Sequence, residues 1–145
     1  LALDRMAEIF REWECPAFLL VAGGGSILAG EPPPGTVGWS CGLGEDPASP
    51  RYWLKNTSLS GSGLAVKGAH IIDPRSGAPA ALRNRAWALA DSATESDALS
   101  TACMLLSEAE ISEIIERHTE WLVFLSESEQ WRLIGSRALP PVVGS

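Results

Sequence analysis

The 145-residue sequence has few cysteines and no long apolar run, so it lacks the marks of zinc-binding and membrane-spanning proteins. Its three cysteines, Cys15, Cys41 and Cys103, form no CxxC pair. A structural zinc site needs four clustered ligands, so we expect the three thiols to be small buried hydrophobic residues instead. No apolar run reaches the roughly 20 residues of a transmembrane helix, so the sequence predicts no membrane span.

An excess of positive charge is also lacking. The formal net charge is −7 at pH 7, which argues against a nucleic acid as partner. One stretch differs, because Arg51 to Arg85 contains six basic residues and the single acid Asp73. This basic segment has two interpretations, a solvated surface or a pocket for a small phosphate-bearing ligand.

Apolar periodicity predicts one domain of interleaved helices and strands. An apolar stripe of Leu3, Met6, Ile9, Phe10 and Trp13 predicts an amphipathic helix over residues 2–14, and such a stripe normally faces a core. Strand-length apolar runs are found at residues 17–22, 27–29, 37–44, 52–58, 70–72 and 86–90.

The second half turns helical, and N-cap patterns predict helix starts near Thr94 and at Ser107. A closing hairpin follows at 121–125 and 131–134, and the tail from Pro140 is predicted to fray. Because hairpins dominate, we predict an α+β fold with a mostly antiparallel or mixed sheet and packed helices.

One short stretch gathers three chemically active groups. The His70–Gly77 segment, His70-Ile71-Ile72-Asp73-Pro74-Arg75-Ser76-Gly77, holds an imidazole, a carboxylate and a guanidinium. Its pattern predicts a short buried strand that ends in a turn, with a bend at Ser76-Gly77 where φ can be positive. The segment is either a strand corner with solvated charges or part of a functional site.

A second polar group lies about twenty residues further on. Asp97 and Thr101 are four apart on a predicted helix and project from one face, with Ser100 beside them. This all-oxygen set suits Mg²⁺ and does not suit zinc. Backbone N–H groups at the predicted helix start would also attract phosphate. The alternative is that Asp97 complements the helix dipole and Thr101 packs.

In order and spacing, the His70–Gly77 segment and Asp97-Ala98-Leu99-Ser100-Thr101-Ala102 together resemble the paired signature of the FAD:protein FMN transferases, the ApbE family. The flanks are similar too, at Leu1-Ala2-Leu3-Asp4-Arg5, Ala22-Gly23-Gly24-Gly25-Ser26 and Ser60-Gly61. The resemblance implies an ApbE-like fold in which residues 1–145 are the C-terminal portion of a flavin transferase domain. The N-terminal half of that domain would then be missing from this chain.

The resemblance also implies the reaction. A Ser or Thr hydroxyl of a target flavoprotein attacks the phosphorus on the FMN side of FAD, AMP leaves, and Mg²⁺ is required. The residues carried over are the general base His70, the metal ligands Asp97, Thr101 and Ser100, and the flavin contacts Ile71 and Leu1. Asp73 and Arg75 would hold the loop together.

Two alternative functions remain open. The same site could hydrolyse FAD to FMN and AMP, or the chain could be a non-catalytic flavin-binding module. We expect the isolated chain to be weak or inactive, since the N-terminal half supplies much of the FAD pocket in the family. Family members are often exported and anchored by a lipid, but this sequence does not determine the compartment.

Overall fold

The computed structural model describes residues 2–44, 49–64, 70–127 and 130–141. The described elements are α1 (Ala2–Glu12), β1 (Leu19–Ala22), β2 (Ser26–Ala29), β3 (Trp39–Gly42), β4 (Arg51–Leu54), β5 (Thr57–Gly63), β6 (Arg85–Ala90), α2 (Ala93–Cys103), α3 (Glu108–Arg117), β7 (Leu122–Glu127) and β8 (Gln130–Ile134). Among these described helices, none is both long and apolar enough to cross a membrane.

Six strands form one sheet in the order β1-β2-β5-β6-β7-β8, and β3 pairs with β4 in a separate hairpin. Every neighbouring pair in the large sheet is antiparallel. The helices pack on one face of the sheet and the β3–β4 hairpin packs on the other. This three-layer arrangement confirms the predicted α+β fold. The predicted capping box at Ser107 and the predicted closing hairpin are also present.

The helix-facing side of the sheet is built from small residues where α2 lies. Register places Ser58, Ser60 and Ser62 of β5 beside Ala90, Ala88 and Ala86 of β6. Alternate residues of a strand share one face, so these six side chains form a shallow floor. Further along the same face, Leu99 and Cys103 of α2 join the apolar core with residues of α3 and β7.

The opposite side carries large apolar residues. Leu59, Trp87, Leu89 and Phe124 pack with residues of the β3–β4 hairpin. Gly61 lies under the Trp87 indole, and a Cβ at that position would come within 2.6 Å of the ring. The close approach of this ring therefore requires glycine.

The apolar stripe of α1 is oriented differently from the prediction. Leu3 and Ala7 are the buried residues of this helix, and they pack with Phe18, Leu20 and Ala93. The members of the predicted stripe other than Leu3 are exposed, and Trp13 reaches 77%. The helix has two adjacent apolar stripes, and periodicity alone does not tell which of them faces the sheet.

Two predictions about strands and termini are wrong. The chain does not continue as one strand over 52–58, because β4 ends at Leu54 and β5 begins in the other sheet. Asn56 makes the crossing with φ +47, a left-handed conformation that Asn tolerates better than most residues. Pro140 is not frayed, since its carbonyl accepts the Trp53 N–H at 3.0 Å. Residues 142–145 lie outside the described residues.

The cysteines divide into two groups. Cys41 and Cys103 are buried as predicted, whereas Cys15 is exposed, which corrects the prediction for that residue. Burial raises the pKa of the Cys103 thiol to about 12. This thiol therefore remains protonated at neutral pH and is a packing residue rather than a nucleophile.

Candidate functional site

The His70–Gly77 segment forms a turn rather than the predicted strand. His70 and Ile72 are exposed, and only Ile71 is buried against the core. The Ala80 N–H donates to the Ile71 carbonyl at 2.7 Å, and Ile72 makes an isolated bridge with Pro79. Around Ile71 and Ile72, one buried side chain and one bridge are present in place of a regular strand. The apolar Ile71-Ile72 pair therefore indicated more regular structure than exists.

The bend itself is as predicted. The Asp73 carbonyl accepts the N–H groups of Gly77 at 2.7 Å and Ser76 at 3.3 Å. Gly77 has φ +72, in the region that favours glycine. The segment is thus a compact turn whose closing residue has the geometry that the Ser-Gly pair predicted.

Asp73 and Arg75 fix this turn and tie it to the helices. The Asp73 Oδ1 accepts the Arg75 backbone N–H at 2.9 Å and its Nε at 3.0 Å. These hydrogen bonds from Arg75 hold the pKa of Asp73 below its usual value. Arg75 Nη2 also donates to the Leu105 carbonyl just beyond α2 at 2.6 Å. The pair therefore holds the loop together, as the resemblance implied.

Three of the four other described members of the basic segment have separate structural partners, and the fourth, Arg85, lies in β6. Arg51 donates to Ser40, and Lys55 pairs with Glu31 at 2.9 Å. Buried Arg83 donates to the carbonyls of Cys103 and Leu106 at the end of α2. Lys67 lies outside the described residues. These contacts give no support to a common phosphate pocket built from the described part of the basic segment.

The start of α2 also differs from the prediction. Ser92, and not Thr94, is the N-cap residue. The Asp4 carboxylate accepts the N–H groups of Ala93 at 2.7 Å and Thr94 at 3.1 Å, and Ser92 accepts that of Glu95. The first-turn donors are therefore occupied, and the expected attraction of phosphate to this helix start is wrong. No local pattern could reveal a carboxylate from α1.

Asp97, Ser100 and Thr101 lie together on α2, between its middle and its C-terminal end. Asp97 and Thr101 are exposed, whereas Ser100 is fully buried. Both hydroxyls donate to the Asp97 carbonyl, at 3.0 Å from Ser100 and 3.1 Å from Thr101. The structure thus brings the three predicted metal residues together but gives Ser100 a buried position.

Two further serines were missed by the sequence reasoning. The Ser62 hydroxyl of β5 lies 3.0 Å from the hydroxyls of both Ser100 and Thr101. Ser26 of β2 donates to the Asp97 carboxylate at a long 3.5 Å. The alternation of serines along β5 indicates a shared polar face, but only the packing of α2 shows which residues that face meets.

The contact between β5 and α2 continues into the protein as a buried network of serine hydroxyls. The Ser96 hydroxyl lies 2.8 Å from those of Ser58 and Ser60, and Ser58 donates to the Ile27 carbonyl at 2.7 Å. All three serines are fully buried, so their mutual hydrogen bonds are needed to offset desolvation. The network fixes the position of α2 on β5, and with it Asp97 and Thr101.

The donor chemistry fits a hard cation. One exposed carboxylate and neighbouring hydroxyls suit Mg²⁺, which takes one or two carboxylates and completes its sphere with water and phosphate oxygens. In the part of the chain that the structure describes, no group of three or more His, Cys, Asp and Glu residues could hold a metal. A site here would therefore depend on Asp97, hydroxyl oxygens and ligands from outside these residues.

The remaining predicted site residues are only partly located. His70 is exposed at the start of the turn, and Ile71 is buried beside it. Leu1 lies outside the described residues. A depression of about 250 Å³ lies between the turn and the end of α2, lined in part by Asp73, Ala80 and Leu105. Pockets for small molecules and cofactors usually span ~300–1,000 Å³, so this depression is below the usual range.

The fold is similar to several solved structures. The flavin transferase ApbE from Vibrio cholerae is 21% identical with a TM-score of 0.74, over 92% of this chain and 46% of that chain. The Pseudomonas stutzeri flavinyl transferase ApbE, apo form, is 22% identical with a TM-score of 0.71, over 91% and 45%. The ApbE protein of Thermotoga maritima is 26% identical with a TM-score of 0.70, over 86% and 44%.

This chain therefore spans a little under half the length of the solved structures it resembles. A comparison with curated protein sequences gave no match. The sequence model of the ApbE family, however, matches residues 1–125, which is most of the chain. This chain belongs to the ApbE family.

Proposed function

We propose that this chain is part of a flavin transferase that moves FMN from FAD to a Ser or Thr hydroxyl of a target flavoprotein. The observation that carries the proposal is the family match over residues 1–125. The clustering of Asp97 with three hydroxyls supports it, because charge neutralisation at a pyrophosphate is what such a site can provide.

In the proposed reaction His70 is the general base. It removes the proton from the acceptor hydroxyl as that oxygen bonds to the phosphorus on the FMN side. The bond to the AMP oxygen breaks, and AMP leaves with the electron pair. The exposure of His70 supports this role, since an acceptor protein must reach it, and general base catalysis typically contributes ~10²–10⁴-fold in rate.

Asp97 and Thr101, with Ser100 beside them, form the proposed metal site. When bound there, Mg²⁺ would supply charge neutralisation for the pyrophosphate. The residues of this chain contribute the anchoring: the buried serine network holds α2 in place, and the exposed end of the cluster presents the carboxylate.

We further propose that residues 1–145 are the C-terminal portion of the flavin transferase domain and need its other half. Two observations support this, the coverage of less than half of the solved relatives and the small depression beside the turn. Ile71 through its backbone and Leu1 would contact the flavin, and the other half would complete the pocket.

The test compares the chain alone with the chain produced together with the product of the reading frame upstream of its own. FAD, Mg²⁺ and an acceptor flavoprotein are added, and protein-bound flavin fluorescence and AMP are measured. We expect flavinylation from the pair and little from the chain alone, with a ~10²–10⁴-fold loss for His70→Ala. Glu113→Gln, an exposed carboxylate on α3, is the control that keeps activity.

The possible outcomes separate the functions. Robust flavinylation by the isolated chain contradicts the need for another half. Release of FMN and AMP with no labelled acceptor identifies a pyrophosphatase instead. FAD binding without any turnover, unchanged by His70→Ala, identifies a flavin-binding module.

A further inference from the structure

Three hydroxyls meet at the exposed end of the contact between β5 and α2. Ser62 is half-buried and Thr101 is exposed, whereas Ser100 is fully buried. The two that reach the surface, Ser62 and Thr101, come from different elements and lie 3.0 Å apart. Asp97 lies one turn before Thr101 on α2 and is also exposed. A ligand approaching from solvent therefore meets the oxygens of Ser62, Thr101 and Asp97.

The hydroxyls of this group share three protons among four contacts. Ser100 and Thr101 each lie within hydrogen-bond distance of the Asp97 carbonyl, and Ser62 lies within hydrogen-bond distance of both hydroxyls. Either hydroxyl can donate in the contact between Ser62 and Thr101. When Ser62 donates to buried Ser100, the oxygens of Ser62 and Thr101 each keep at least one lone pair for a cation that approaches from solvent.

The separation of these two oxygens, 3.0 Å, is an ordinary distance for a hydrogen bond between hydroxyls. It also allows both oxygens to coordinate Mg²⁺ without moving, because Mg²⁺ holds oxygens at ~2.0–2.1 Å in octahedral geometry and adjacent ligands lie ~2.8–3.0 Å apart. For Ca²⁺, with ligands at ~2.3–2.6 Å, a right-angle pair would be ~3.3–3.7 Å apart, so the two hydroxyls would have to separate.

We propose that Ser62 is a direct ligand of the Mg²⁺ site, adjacent to Thr101 and together with the Asp97 carboxylate. Ser100 is then a supporting residue, and its buried hydroxyl accepts a hydrogen bond from Ser62. This inference rests on the metal site of the proposed function and changes its ligand set, because Ser62 takes the place of Ser100.

A cysteine substitution distinguishes a ligand from a neighbour. Ser62→Cys replaces a hard oxygen by soft sulfur, which disfavours Mg²⁺ and favours Cd²⁺. Mg²⁺ and Cd²⁺ binding are measured by calorimetry on the purified chain in a Cys15→Ser background, because Cys15 is an exposed thiol. We expect Ser62→Cys to weaken Mg²⁺ binding by at least ~10-fold, ~1.4 kcal/mol, and to tighten Cd²⁺ binding.

Three further variants serve as controls. Ser100→Cys should leave the metal preference unchanged because its sulfur would be buried behind Ser62. Thr36→Ala, which removes a hydroxyl that donates to the Pro33 carbonyl outside the β5–α2 contact, should keep the Mg²⁺ affinity. Ser62→Thr retains the hydroxyl and should retain most of the binding.

Each result bears on a different part of the proposal. A Cd²⁺ preference in Ser100→Cys but not in Ser62→Cys overturns the assignment of Ser62. Mg²⁺ binding that is lost in Asp97→Asn but unchanged in Ser62→Cys overturns it too, while the proposed metal site stands. Mg²⁺ binding that is absent, or insensitive to Asp97→Asn, contradicts the metal site of the proposed function itself.

Discussion

The two faces of the six-stranded sheet follow different physical rules. On β5, residues 58, 60 and 62 are serines that meet α2, while Leu59 between them joins the large apolar residues under the β3–β4 hairpin. The hairpin face is stabilised by burial of large side chains. The helix face combines small residues with directional hydrogen bonds, and the candidate site lies at its exposed end.

This difference between the two faces shows how the fold positions the residues of the candidate site. Apolar packing tolerates exchange of similar volumes, whereas a chain of buried hydroxyls specifies which residue of α2 lies over which residue of β5. The hairpin face therefore contributes mainly stability. The helix face fixes the place of Asp97 and Thr101.

The largest expected effect is on the hairpin face. Phe124 is almost completely buried and its ring centroid lies 5.0 Å from that of Tyr52. We expect Phe124→Ala to lower the free energy of unfolding by ~3–5 kcal/mol, measured by urea denaturation. Leu133→Ala is the control, because Leu133 pairs with Phe124 in register but is 54% exposed. Equal losses would contradict the account of this face.

On the helix face we expect a smaller loss of unfolding free energy, and the losses caused by replacing the individual serines should depend on one another. Ser96→Ala removes the hydroxyl that joins Ser58 and Ser60 and should cost ~1–3 kcal/mol of unfolding free energy, since buried polar groups lose their partner. The triple replacement of Ser58, Ser60 and Ser96 by Ala should cost less than the sum of the three single changes. Simple additivity would show that the serines do not act as a network.

Asp4 joins α1 to this helix layer. Although partial burial raises the pKa of Asp4, hydrogen bonds from Thr94 and Ala93 lower it below the usual value. We expect Asp4→Asn to cost ~0.5–2 kcal/mol at neutral pH, like the loss of a helix cap.

The pH dependence of this variant checks the ionic origin of the effect. A lowered folded-state pKa gives stability that is complete above the unfolded value of ~3.9 and is lost as the pH falls through the folded value. The difference between wild type and Asp4→Asn should therefore disappear in acid. A difference that is constant with pH would assign the effect to packing.

The smallest effect is expected on the outer stripe of α1. Trp13 is 77% exposed, so Trp13→Ala should change stability by less than ~0.5 kcal/mol. Leu3→Ala, on the buried stripe, should cost ~2–5 kcal/mol. A large loss for Trp13→Ala, seen in thermal unfolding, would mean that the described packing of α1 is wrong.

The sequence predicted what depends on local pattern. The capping box at Ser107, the bend at Ser76-Gly77 and the closing hairpin were correct because their signals lie within a few residues. Prediction from the sequence failed where contacts between distant segments determine the structure. Asp4 caps a helix ninety residues away, and the choice between two apolar stripes on α1 is made by the sheet.

The candidate site shows the same limit. Spacing on one helix brought Asp97, Ser100 and Thr101 together, but Ser62 enters through the packing of β5 on α2. The resemblance to the family supplied His70 as the proposed base, and no local pattern distinguishes this residue from a solvated turn histidine. The pattern of a single segment does not show which residues of other elements will contact it.

The central claim is that the exposed end of the β5–α2 contact binds a divalent cation. Mn²⁺ is the direct probe, because it has the oxygen preference of Mg²⁺ and broadens nearby amide signals in NMR spectra. The account predicts broadening centred on Ser62, Asp97 and Thr101, abolished by Asp97→Asn and reversed by excess Mg²⁺. Broadening centred elsewhere, or unchanged in Asp97→Asn, would contradict it.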